Sequence, residues 1–151
     1  MPRNINQAGL AMIKSFEGLR LDAYQDSADI WTIGYGHTRG VQEGMSISET
    51  DATAFLEQDI AGAGAFVDAA TADVATGENQ FAAMVSLCFN IGSGNFKTSS
   101  VLRRHREGDS AAAADAFLLW DKAHVDGELV ELDGLLRRRQ AERALYLTAD
   151  A

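Results

Sequence analysis

Phe16-Glu-Gly-Leu-Arg-Leu-Asp-Ala-Tyr-Gln-Asp-Ser-Ala-Asp-Ile-Trp-Thr-Ile-Gly-Tyr-Gly-His-Thr38 changes texture abruptly, from a helical period to a run rich in aromatic and β-branched residues. Just before and into it, Ala8, Leu10, Ala11, Ile13 and Phe16 recur at helical spacing, which predicts an amphipathic helix from Asn6 to Glu17. Gly18 is its predicted stop, because glycine enters the left-handed conformation at a helix end without a steric cost. Residues 21–26 and 30–37 read as strands joined by the turn Asp26-Ser-Ala-Asp29. Glycines at 34, 36, 40 and 44 disfavour a helix there, so a small antiparallel sheet is expected.

Outward from this stretch the chain is expected to be helical almost to its end. Ser46-Ile-Ser-Glu49 has the spacing of a capping box, and the helix it starts runs to Ala70. Further helices are predicted at 78–90, 99–107, 109–122 and 134–148, punctuated by Gly92, Gly94, Gly108 and Gly127. The fold class is therefore α+β: mainly helical, with a small antiparallel β lobe inserted after the first helix. A single domain of residues 1–151 is expected, with the β lobe at 18–45 and the helical lobe at 71–151. Gly62 and Gly64 weaken the helix connecting the lobes, either as a hinge or for close packing.

Composition narrows the function classes. The formal net charge is −9, and a nucleic-acid protein would need a basic face, so no nucleic-acid partner is expected. Residues 1–75 carry 4 basic and 11 acidic groups, and residues 76–151 carry 9 and 11. No apolar run is long enough for a secretory leader or a membrane span, which predicts a soluble chain without stable membrane insertion. Cys88 is the only cysteine, which suits a reducing compartment, and within Phe81-Ala-Ala-Met-Val-Ser-Leu-Cys-Phe it reads as a small buried hydrophobe.

Chemistry concentrates at the change of texture. Glu17 ends a helix, where the negative end of the macrodipole disfavours its ionised form. A carboxylic acid that keeps its proton is what glycosidic cleavage asks of a general acid. Asp26 and Thr32 flank the hairpin turn, and a carboxylate with a hydroxyl can orient a water molecule. Each also has a plain alternative: a surface glutamate, a turn-forming aspartate, a strand threonine.

Taken together these residues resemble a known family. Glu17, eight intervening residues, Asp26, five intervening residues and Thr32 reproduce the triad spacing of glycoside hydrolase family 24, the phage lysozymes or muramidase endolysins. Phe16-Glu-Gly-Leu-Arg-Leu-Asp-Ala-Tyr24 and Trp31-Thr-Ile-Gly-Tyr-Gly-His-Thr38 resemble two of its blocks. Phe89-Asn-Ile-Gly-Ser-Gly-Asn-Phe96, Ser99-Ser-Val-Leu-Arg103 and Gly134-Leu-Leu-Arg-Arg-Arg-Gln-Ala-Glu-Arg143 resemble later ones, in family order. The resemblance implies Glu17 as general acid, Asp26 as base or water-orienting carboxylate, and Thr32 as its helper. It implies a lysozyme-like fold with substrate between the lobes. The reaction it implies is hydrolysis of the β-1,4 bond between N-acetylmuramic acid and N-acetylglucosamine of peptidoglycan, with inversion and host lysis. Thr38 and Phe96 fall at family positions near substrate.

No cofactor and no metal is implied, and a monomer is expected. A phage endolysin of this kind would wait in the host cytoplasm until a separate holin opened the way to the periplasm or cell wall. His37 reads as a structural residue, since His105 and His124 lie far off in sequence. Trp31 and Trp120 read as packing residues before sugar platforms, and Arg138 with Glu142 as an ordinary helix pair. A negatively charged enzyme would be repelled by an anionic wall unless arginines 103–106 or 137–139 border the substrate. A lytic transglycosylase, needing only one glutamate, and a non-catalytic wall-binding module are the rival readings.

Overall fold

The computed structural model describes residues 3–26, 28–125 and 128–150. Helix α1 (Gln7–Glu17) buries Leu10 and Ile13, and the side chain of Asn6 caps its start by accepting from the Gly9 N–H at 2.9 Å. It ends as expected at Gly18, with φ 75° and an N–H donating to the Lys14 carbonyl at 3.0 Å.

Strands β1 (Arg20–Gln25) and β2 (Trp31–Gly34) form an antiparallel pair, with Tyr24 opposite Thr32 and Gln25 opposite Trp31. The register is irregular between Arg20 and Tyr24. The second strand is shorter than expected. Gly34 (φ 68°) and Gly36 (φ 91°) turn the chain back, so that Ile33 and His37 exchange two backbone hydrogen bonds of 2.9 Å. That bend is what these glycines serve; a Cβ on Gly34 would also lie 3.3 Å from that of Ala52.

Helix α2 (Glu49–Ala70) is capped two residues later than the sequence suggested. Ser48 Oγ accepts from the Asp51 N–H at 3.1 Å, and Asp51 Oδ2 accepts from the Ser48 N–H at 3.4 Å. Ser46 instead pairs with Asp22 in an isolated bridge, where its hydroxyl donates to the Asp22 carboxylate. The chain forms two compact units, residues 11–62 and residues 1–10 with 63–151, whose boundaries fall inside α1 and α2.

In the larger unit, α3 (Glu78–Ile91) is buried without a break from Phe81 to Cys88. The expected helix at 99–107 is α5 (Ser100–Arg106), preceded by a short α4 (Ser93–Lys97). Ser99 caps α5 and Asp109 caps α6 (Ser110–Phe117), each accepting from a backbone N–H three residues on. Helix α6 stops well short of residue 122. An antiparallel hairpin follows, β3 (Lys122–Val125) with β4 (Glu128–Glu131), before α7 (Asp133–Leu147) packs on α3. The helical expectation gives way here to a ladder in which Lys122 pairs with Glu131, Ala123 with Val130, His124 with Leu129 and Val125 with Glu128. The position of Gly127 itself and the side chain of His124 lie outside the described residues.

Arg138 and Glu142 are not an ordinary surface pair. Glu142 is fully buried, with Arg138 Nε at 3.3 Å, Arg139 Nε at 2.7 Å and the Ser86 hydroxyl donating to its Oε2. Burial pushes the Glu142 carboxyl up, and the Arg139 guanidinium opposes it. Among the described residues, no helix is long and apolar enough to cross a membrane.

Candidate active site

Glu17, Asp26 and Thr32 all belong to the compact unit of residues 11–62. Glu17 is the last residue of α1; its side chain is half-buried and its Oε2 is shielded from solvent. The reason is local: the α1 pattern that buries Leu10 and Ile13 carries the chain to a stop at Gly18, and the carboxylate sits at that stop.

Asp26 and Thr32 are organised by the hairpin turn. Asp26 Oδ1 accepts from the N–H groups of Ala28 at 2.8 Å and Ile30 at 3.0 Å, so one carboxylate oxygen is committed to the turn. Asp29 sits at φ 63° inside that turn, a conformation aspartate tolerates better than most residues. Thr32 Oγ1 donates to the Ile30 carbonyl at 2.9 Å, the same oxygen that accepts from the Asp26 N–H at 2.9 Å. One peptide residue, Ile30, thus anchors both side chains. Thr32 is only 4% exposed, and its hydroxyl proton is used by Ile30, which leaves the oxygen's lone pairs as acceptors.

Cross-strand partners share a face of a sheet, as do residues two apart along a strand. Tyr24 is therefore on the Thr32 face, and so is Asp26 at the strand's end. The Arg20 guanidinium carbon lies 4.3 Å from the centre of the Tyr24 ring. Sequence reasoning passed over both residues, although alternation backward from Asp26 points to Tyr24.

The remaining expected residues separate. Thr38 is exposed just beyond the Gly34–Gly36 bend. Phe96 is fully buried, with its ring edge-on to Phe66 at 6.3 Å, so it is a core ring and offers no surface to a sugar. His37 is buried and structural: Nδ1 lies 2.9 Å from Asp59 Oδ2, and the ring stacks on Phe55 at 4.4 Å. Trp31 and Trp120 are half-buried. Most arginines proposed to offset the acidic charge are already matched to carboxylates. Arg104 pairs with Glu107, Arg106 with Asp73, and Arg138 and Arg139 with Glu142. Cys88 is buried, and burial pushes its thiol up, away from thiolate chemistry.

Comparison with known proteins bears on the whole chain. The model of the family described as phage lysozyme matches residues 14–142. An endolysin of Acyrthosiphon pisum secondary endosymbiont phage 1 is 44% identical over 146 residues, covering 97% of this chain and 99% of the relative. Among solved structures, the endolysin from Escherichia coli O157:H7 phage FAHEc1 superimposes with a TM-score of 0.91 at 39% identity, covering 96% of this chain and 94% of that one. The muramidase domain of SpmX from Asticaccaulis excentricus gives 0.87 at 43% identity, covering 97% and 100%.

Proposed function

The chain belongs to the phage lysozyme family, and from that premise we propose that Glu17, Asp26 and Thr32 carry its catalysis. The activity is that of an endolysin: a muramidase, a glycoside hydrolase that lyses cells by cutting the glycan strands of bacterial peptidoglycan. The bond cut is the β-1,4 linkage from N-acetylmuramic acid to N-acetylglucosamine.

Glu17 gives its proton to the glycosidic oxygen as the bond to the anomeric carbon breaks. A water molecule attacks that carbon from the opposite face, and its proton passes to Asp26. The sugar leaves with a new hydroxyl of inverted configuration, Glu17 ionised and Asp26 protonated, and exchange with solvent restores both. Inversion requires the two carboxyl groups to stand about 6.5–9.5 Å apart, leaving room for the water. The observation that supports the water-holding role most directly is the Ile30 anchor: with Asp26 Oδ1 and the Thr32 proton both committed to it, Asp26 Oδ2 and the Thr32 oxygen remain as acceptors. A water that donates one hydrogen to each turns its own lone pair outward, toward the anomeric carbon. Thr38, exposed next to this hairpin, is a substrate contact in the same reading.

The protein acts as a monomer in one domain, held in the host cytoplasm until a separate holin admits it to the wall. Wall digestion by Glu17→Gln tests the chemistry, since the amide keeps the shape and lacks the acid. Turnover should fall at least about 100-fold. Undiminished turnover overturns the assignment of Glu17, and an anhydro-sugar end in the wild-type products overturns hydrolysis.

A further inference from the structure

A chain of net charge −9 must engage a polymer whose peptide stems carry carboxylates. Repulsion at long range is weakened by salt, but binding still needs a local cation where the substrate sits. The arginine clusters of the larger unit are poor candidates, because Arg104, Arg106, Arg138 and Arg139 already face carboxylates of this chain.

Arg20 is different in three respects. Among the described residues, its guanidinium has no hydrogen bond to a carboxylate or a carbonyl, and it is exposed. Its position is nonetheless defined, since it lies against the Tyr24 ring at 4.3 Å. The ring it rests on stands on the face that carries Thr32 and Asp26. Stacking uses the flat face of a guanidinium and leaves the N–H edge directed outward, and that edge matches a carboxylate in a two-pronged contact.

We propose that Arg20, held flat by Tyr24, binds a carboxylate of the peptidoglycan strand beside the scissile bond, with Tyr24 as the positioning residue. The proposal rests on the reading of Asp26 and Thr32 as the water-holding pair. It makes Arg20 a determinant of substrate binding and leaves the proton transfers to other groups. For an exposed contact the effect is modest, about three- to tenfold in KM.

The test uses soluble, uncross-linked glycan strands in three forms: with intact stems, with their carboxyl groups amidated by carbodiimide and ammonia, and stripped of stems by an amidase. On intact strands, Arg20→Gln should raise KM about three- to tenfold with kcat within about twofold of wild type. Amidation should raise the wild-type KM by the same factor and leave Arg20→Gln unaffected. Tyr24→Leu should repeat the KM effect in weaker form, again only on strands that carry carboxylates. Amidase treatment removes the stem carboxylates and frees the lactyl carboxyl that the stem had held as an amide. A penalty that disappears on stripped strands therefore identifies the stem, and one that persists shows that Arg20 accepts the carboxylate newly exposed on the muramic acid. Equal sensitivity to amidation in wild type and Arg20→Gln, or a fall in kcat with KM unchanged, overturns the proposal. Thermal melting of each variant confirms that it is folded. Failure of the catalytic reading would be seen separately, as full turnover by Glu17→Gln.

Discussion

Asp26 does two jobs with its two carboxylate oxygens, and substitution can separate them. Oδ1 accepts the Ala28 and Ile30 N–H groups that hold the turn, while Oδ2 is assigned to the water. Asparagine retains a carbonyl oxygen for the turn but presents an amide donor in place of the second acceptor. Asp26→Asn should therefore melt close to wild type while losing about 100-fold or more in turnover. Alanine at the same position removes the turn contacts as well and should lower the melting temperature. Thr32 obeys similar logic: serine keeps an acceptor oxygen anchored on Ile30 and should retain most activity, whereas valine should not. A melting scan beside a wall-clearing assay distinguishes these outcomes, and a variant that is inactive only because it is unfolded would remove the support for a role in holding water.

At the scale of elements, the long helix α2 runs unbroken through Gly62 and Gly64. A Cβ at either position would meet nothing within 4 Å, so close packing does not explain them. Glycine in a helix interior costs about 0.5–1 kcal/mol relative to alanine through its greater freedom in the unfolded chain. Gly62→Ala should raise stability by about that amount in a urea titration. No gain at all would mean that the native helix at this point departs from regular geometry. Elements also show where local sequence was a good guide. The amphipathic spacing of α1 and the unbroken apolar run of α3 were readable because each hides one stripe, or the whole, of a helix in a core. Hairpin β3–β4 escapes the sequence reading, because helical residues flank it on both sides and Gly127 reads as a break between helices. The α2 cap moved from Ser46 to Ser48 because Ser46 had a competing partner in Asp22, twenty-four residues away, that spacing alone does not reveal.

For the molecule as a whole, acid should destabilise the fold in two stages. His105 is buried; Thr76 Oγ1 lies at 2.8 Å from Nε2 and the Tyr146 hydroxyl at 2.7 Å from Nδ1. Burial, helped by the neighbouring Arg106 charge, pulls its affinity for a proton below the usual value of 6.5. A histidine that resists protonation when folded stabilises fully above that value. Its contribution is lost as pH falls below 6.5 and through the lower folded value, because the unfolded chain binds the proton first. Asp150 acts later. Its carboxylate accepts from the N–H groups of Glu78 and Asn79 at 2.9 Å each, at the N-terminal end of α3, and those bonds hold it below the usual 3.8. Its contribution is complete above 3.8 and disappears as pH drops through the depressed folded value. Urea midpoints should thus decline between pH 7 and pH 5 in wild type and less so in His105→Gln, while Asp150→Asn should flatten the loss at still lower pH. Identical profiles for all three proteins would dismiss both groups as acid-sensitive supports.

The first helix, its stop at Gly18, the hairpin after it and the spacing of Glu17, Asp26 and Thr32 were determined by sequence alone, because periodicity, left-handed glycine and turn chemistry act over a few neighbouring residues. Tertiary structure alone decided which charges are spent and which are available. Glu142 finds two arginines and Ser86 in a buried cluster, Phe96 is sealed in a core, and the Arg20 guanidinium lies over the Tyr24 ring. Those outcomes depend on partners far apart in the chain and on the cost of burying a charge without one, and neither is written in local spacing.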